Sequence, residues 1–126
     1  GVTSKVMLQK FYEIDQLEKI LDERRAHSQR IVHCHGVFDL LHLGHIRHFN
    51  EAKKLGDVLV VTLTADQYVN KGPHRPAFSQ KLRAESLASL ECVDFVAIND
   101  APSAVEAIKK IKPNFYNIKF SIQFFE

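Results

Sequence analysis

The run Val58-Leu59-Val60-Val61-Thr62-Leu63-Thr64 constrains the fold of this chain more than any other stretch. It is nearly continuously apolar and β-branched, the pattern of a strand covered on both faces. Such a strand needs helices on each side of its sheet. Gly56-Asp57 stop a helical pattern just before the run. Hydrophobic periodicity predicts further strands over 30–35, 95–99 and 114–118, and helices over 43–55, 79–90 and 102–111. Pro102 suits the first turn of its helix, where a missing N–H costs little, and Pro113 ends that helix. Strands separated by helices of this length form parallel βαβ units with right-handed crossovers. The expected fold is therefore a single α/β domain, a doubly wound parallel sheet with flanking helices.

Ahead of that domain, residues 11–25 carry Phe11, Ile14, Leu17, Ile20 and Leu21 at three- and four-residue steps, one apolar stripe on a charged helix. This divides the chain into an N-terminal amphipathic helical segment, 1–29, and an α/β domain, 30–126. The helix is expected to pack on the sheet or on a partner subunit, with its charges as a solvated face. At 126 residues the chain can bury roughly two thirds of its unfolded surface. With 45% hydrophobic and 25% charged residues it is no disordered segment, and a net charge of +2 does not point to a nucleic-acid partner. Cys34 and Cys92 fall in or beside predicted strands and read as free core thiols. No membrane-spanning or signal-like run is visible, so a cytoplasmic location is the default. The terminal run 121–126 holds Ile122, Phe124 and Phe125. It predicts further packing material, a helix or a partner, and a domain incomplete at its C-terminus.

Between the first strand and the first helix of the domain stands His35-Gly36-Val37-Phe38-Asp39-Leu40-Leu41-His42-Leu43-Gly44-His45. A strand-to-helix turn presents backbone N–H groups and the positive end of the helix dipole to phosphate. His42 and His45 are three apart and can share one face of the first turn, while Gly44 and Gly36 leave room for a close approach. Two imidazoles there could donate hydrogen bonds to phosphoryl oxygens as charge grows in a transition state, with general acid action second. Alternatively, His42 caps the turn and His45 packs against the sheet. The histidines and Cys34 also include zinc-compatible atoms, but alternation sends His33 and His35 to the side opposite Cys34. No metal ligand is therefore assigned.

The segment 36–45 resembles the signature of the cytidylyltransferase-like nucleotidyltransferases. Its continuation Glu51-Ala52-Lys53-Lys54-Leu55-Gly56-Asp57 and the loop Asn70-Lys71-Gly72-Pro73-His74-Arg75-Pro76 resemble the adenylyltransferase part of heptose-phosphate activating enzymes. The resemblance covers roughly residues 30–118. It implies a Rossmann-like domain that transfers a nucleotidyl group from an NTP to a phosphorylated acceptor, with Mg²⁺ and commonly as a dimer or beside a fused partner domain. Carried onto this chain, His42 and His45 would contact the α and β phosphates, with Lys71 completing the catalytic set. Gly36, Val37, Phe38 and Gly44 would line the nucleotide pocket. Asp39, Asp66, Lys71 and Arg75 would serve the acceptor.

Several of these positions have a plainer reading. Asp39 either orients the phosphate turn or a basic partner, or caps its own turn. Asp66 is an acceptor-side acid or a helix cap. Arg83 supports the 70–76 loop or touches substrate, His74 reads as an ordinary loop residue, and His48 as a polar or packed helical one. The chain departs from the family's pattern after Lys112-Pro113-Asn114-Phe115-Tyr116: the Lys-Gly expected next is displaced or absent, as is a later Ser/Thr-rich arginine motif. Three functions therefore stand: transfer of AMP from ATP to a sugar phosphate, CTP-dependent transfer to an alcohol or polyol phosphate, and a non-catalytic nucleotide-binding domain.

Overall fold

The computed structural model describes residues 5–69 and 72–117. Lys71, Ile118 and the terminal run 121–126 lie outside them, with the expectations placed there. The elements are α1 (Lys5–Lys10), α2 (Ile14–Ala26), β1 (Ile31–Gly36), α3 (Leu43–Lys53), β2 (Val58–Thr64), α4 (Gln80–Ala88), β3 (Phe95–Asn99), α5 (Val105–Ile111) and β4 (Phe115–Tyr116), with a short 3-10 turn at Asp66–Tyr68 after β2. All four strands are parallel, in the order β3-β2-β1-β4. The chain moves outward from β1 to β3, then crosses back so that β4 lies on the other side of β1. The gap between the carboxyl ends of β1 and β4 is a topological switch point, where open α/β sheets bind ligands.

β2 explains the layering. On one side Leu59, Val61 and Leu63 pack with Val32 and Cys34 of β1 against Phe49 and Ala52 of α3 and Ala84 and Leu87 of α4. On the other, Val58 and Val60 pack with Ile31, Phe95 and Ala97 against Leu17 and Leu21 of α2 and Ala107 and Ile111 of α5. Both faces exclude water, the outcome that the unbroken apolar pattern of β2 requires. The result is the doubly wound α/β sheet expected from sequence. Cys34 is buried, Cys92 is partly so and both are free; burial pushes the Cys34 thiol up to about 12.

The local departures have identifiable causes. The N-terminal helix begins at Ile14, because Phe11 forms a parallel bridge to Val96 and the Tyr12 amide donates to the Val96 carbonyl (3.1 Å). A separate helix, α1, precedes it and packs on α4. Pro102 does not enter α5, which starts at Val105: the Asn99 amide holds the Ser103 carbonyl at 2.9 Å and keeps that segment turned. β4 stops at Tyr116, short of the predicted 118. Asn117 adopts a left-handed conformation (φ 44°) and its side chain takes over the pairing with β1, accepting from the His35 amide at 2.7 Å.

Candidate active site

The turn after β1 places the histidine pair by reciprocal capping. His42 is the N-cap of α3, with extended backbone, so its ring leaves the helix face and folds back over the first turn. Its Nδ1 accepts the Gly44 N–H at 3.0 Å, while the His42 N–H donates to His45 Nδ1 at 3.3 Å. The rings lie 4.0 Å apart between centroids. A neutral imidazole that accepts at Nδ1 carries its proton on Nε2. Both rings are thereby oriented as Nε2–H donors. Capping and a chemical role, alternatives in the sequence, use different nitrogens of the same rings. The Gly44 N–H is turned onto His42, so the histidines supply the donors at this turn. His45 packs edge-on against Phe38 (5.7 Å).

Phe38 itself is held at φ 53°, unusual for an aromatic residue. Its ring covers Gly36, where an added Cβ would stand 2.8 Å from the Phe38 Cζ, and packs on Phe49 at 5.3 Å. The clearance that Gly36 offers is thus occupied by Phe38, not left for a phosphate. Val37 turns its carbonyl inward to Arg83.

Asp39 reaches across the molecule instead of capping its own turn. Its carboxylate accepts the Ala77 and Phe78 amides at 2.8 and 2.9 Å and faces Arg75 Nε at 3.4 Å. These backbone donors first, with Arg75 and Arg83 adding to them, hold its carboxyl below the usual range. Arg75, 44% exposed, is anchored at the rim by this contact. Arg83 is fully buried and ties three segments together: it donates to the carbonyls of Phe78 (3.0 Å), Val37 (2.9 Å) and Thr64 (2.8 Å), and to Asp66 Oδ1 (2.6 Å). It supports the loops rather than facing the pocket at the switch point. Asp66 is no side-chain cap, since Ala65 takes the N-cap position of its turn; its amide is held by Gln80 (2.9 Å). His74 lies in the loop with φ 63°.

At the switch point a cavity of about 280 Å³ is lined by Cys34, His35, Phe38, His45, His48, Phe49 and Asn117. The sequence marks neither His48, read as a polar or packed helical residue, nor Asn117 as part of a site. Asn117 lies just past β4, and a lone asparagine there gives no local signal of its place in space. Burial lowers the His48 imidazole below its ordinary value. Among the described residues, no three His, Cys, Asp or Glu side chains converge to hold a metal ion. The carboxylates of Asp39 and Asp66 each face an arginine, which does not suit a protein-held Mg²⁺. No helix among them is long and apolar enough to cross a membrane.

The chain is a parallel α/β protein with paired imidazoles at its first strand-to-helix turn, beside the switch point. The chain belongs to the cytidylyltransferase-like family, whose profile matches residues 33–122. It is 45% identical over 100 residues to the bifunctional protein HldE of Helicobacter pylori (strain HPAG1), covering 78% of this chain and 22% of that protein. It is also 45% identical over 106 residues to the HldE of a Nitratiruptor species, covering 82% and 22%. The chain thus spans about a fifth of the length of these curated relatives. The crystal structure of the lipopolysaccharide core biosynthesis protein from Thermoplasma volcanium GSS1 superposes with a TM-score of 0.65 at 31% identity, covering 75% of this chain and 81% of that one.

Proposed function

We propose that this chain transfers AMP from ATP to a sugar phosphate and releases pyrophosphate. The observation that carries the proposal is the fixed pair of imidazoles, His42 and His45, with both Nδ1 atoms engaged by the backbone. An acceptor phosphate oxygen attacks the α-phosphorus in line, forming the new P–O bond. The bridge to the β-phosphorus breaks, and pyrophosphate leaves with its electron pair. That leaving group needs no strong acid. The two Nε2–H donors stabilise charge on the α and β phosphoryl oxygens, a preorganised electrostatic role. Lys71 and Arg75 balance the acceptor's charge, Arg75 held by Asp39, while Asp66 serves that side through Arg83. Gly36, Val37 and Phe38 shape the nucleotide side. Mg²⁺ arrives with the triphosphate, and no step above depends on it.

The sugar phosphate is favoured by similarity to HldE proteins and to a lipopolysaccharide core biosynthesis protein. The family's description as cytidylyltransferase-like supports the CTP reading, and Asn117-Ile118-Lys119-Phe120 in place of the expected Lys-Gly supports a binding-only domain. A cytoplasmic dimer, or one domain of a fused protein, is the setting we propose. Pyrophosphate release is measured with ATP or CTP against a panel of sugar and polyol phosphates. Release that needs both ATP and a sugar phosphate, and falls about 10²–10³-fold in a folded His45→Ala variant, is expected. A preference for CTP selects the second reading. Nucleotide binding without turnover selects the third.

A further inference from the structure

A row of polar side chains on the α2/α5 face of the sheet takes no part in the phosphate turn or in the Arg83 scaffold. His33 and His35, two apart on β1, project to the same face. Thr62 of β2, fully buried, stands between them: its Oγ1 lies 2.7 Å from His33 Nε2 and 2.8 Å from His35 Nδ1. A hydroxyl has one proton, so Thr62 donates to one ring and accepts from the other.

His33 decides which. It is fully buried, and its Nδ1 finds no hydrogen-bond partner among the described residues. Were Thr62 to donate to His33 Nε2, the His33 proton would sit on Nδ1 as a buried N–H without an acceptor. A bare lone pair there costs less than an orphaned donor. His33 therefore donates from Nε2 to Thr62, and Thr62 donates to His35 Nδ1. The His35 proton is left on Nε2, at the carboxyl end of β1. Burial favours the neutral form of both rings. The nearest partner of His35 Nε2 is Thr64 Oγ1 at 3.5 Å, the limit of a hydrogen bond. His35 is part-buried, not closed off, and it lines the switch-point cavity together with His45.

We propose that His35 is a further reactant-binding residue, whose Nε2–H donates to an oxygen of the bound nucleotide or of the phosphorylated acceptor. Thr62 and His33 are positioning residues that set its tautomer. The proposal rests on the nucleotidyl-transfer reading, because that reaction brings two oxygen-rich reactants to this gap. It adds a third fixed imidazole donor, supplied by the strand rather than by the helix.

Histidine ¹⁵N spectra of the full chain report the tautomers directly. His33 and His35 are expected as Nε2–H forms. Thr62→Val should mix the tautomers of His35, and Thr62→Ser should restore one. Titration with ATP alone and with a sugar phosphate alone shows which reactant moves the His35 Nε2 signal. In kinetics, His35→Asn should raise KM for that same reactant about 3- to 10-fold, the loss of one hydrogen bond, with kcat changed much less. A His35 proton found on Nδ1 overturns the proposal. So does a folded His35→Asn variant with both KM values unchanged, or a His35 signal that neither reactant moves. If the wild-type chain shows no turnover, the transfer reading fails; the tautomer and titration experiments still decide the role of His35.

Discussion

Arg83 Nη2 meets Asp66 Oδ1 at 2.6 Å, the guanidinium fully buried and the carboxylate 43% exposed. The asymmetry matters, because three backbone carbonyls share the same guanidinium. Arg83 is held mainly by the ends of β1 and β2 and by Phe78, two residues ahead of α4. Asp66 supplies the counter-charge at the edge. One side chain thus fixes the relative positions of the loops around the site.

Replacing Arg83 by Leu should cost about 3–5 kcal/mol, since several carbonyls lose their donor at once. Asp66→Asn should cost only about 1 kcal/mol, because an exposed partner is worth little and the amide oxygen still accepts. Urea unfolding at neutral pH measures both. Equal losses would mean that the ion pair, not the carbonyl network, holds Arg83.

Asp39 predicts a pH dependence confined to one loop. Its carboxyl is held low in the folded chain, chiefly by the Ala77 and Phe78 amides. A depressed carboxylate stabilises above its ordinary pKa, and that contribution disappears as pH falls through the folded value. Hydrogen exchange at Ala77 and Phe78 should be slow at neutral pH and lose protection in acid, after correction for intrinsic rates. Asp39→Ala should raise exchange at these two amides about tenfold at neutral pH. An unchanged rate there would remove the tie between the two loops.

His33 predicts a global pH dependence. Burial, with the neighbouring His35, lowers it from 6.5 to about 3. Between those values the unfolded chain binds a proton that the folded chain refuses, so stability falls as pH drops below 6.5. The slope from this group is about 1.4 kcal/mol per pH unit, and His35 acts in the same direction. His33→Gln keeps a donor for Thr62 but does not titrate. Its unfolding free energy from pH 4 to pH 7 should vary less steeply than that of the wild type. Parallel curves would refute the assignment.

Two glycines should behave differently. An alanine Cβ at Gly56 would meet the Arg30 carbonyl oxygen at 2.8 Å, a backbone atom just ahead of β1 that accepts the Asp57 and Val58 amides. Gly56→Ala should cost about 1–3 kcal/mol. At Gly36 the obstacle is the Phe38 ring, which can turn aside. That ring supports His45, so Gly36→Ala should reduce turnover more than stability. Thermal unfolding and pyrophosphate release on both variants separate the two effects.

Much of the layout is legible in the sequence. β2 and β3 have the predicted limits, 58–64 and 95–99, because a fully buried strand shows as an unbroken apolar run. The helix after the histidine turn begins at Leu43 as expected. The edges were less legible. β4 is short because an asparagine side chain replaces backbone pairing, and α5 starts late because Asn99 holds the preceding turn. Side chains of this kind carry no periodic signal.

By itself the sequence determined the alternation of elements, the two-sided burial of β2 and the nearness of His42 to His45. Each follows from local spacing or from the solvation of neighbouring residues. Tertiary structure alone decided that Asp39 serves Ala77 and Phe78, that Arg83 joins three loops, and that Thr62 stands between His33 and His35. These partners lie far apart in the chain. Their pairing is set by where the crossovers lay the strands, and by the free-energy cost of leaving a buried polar group without a partner.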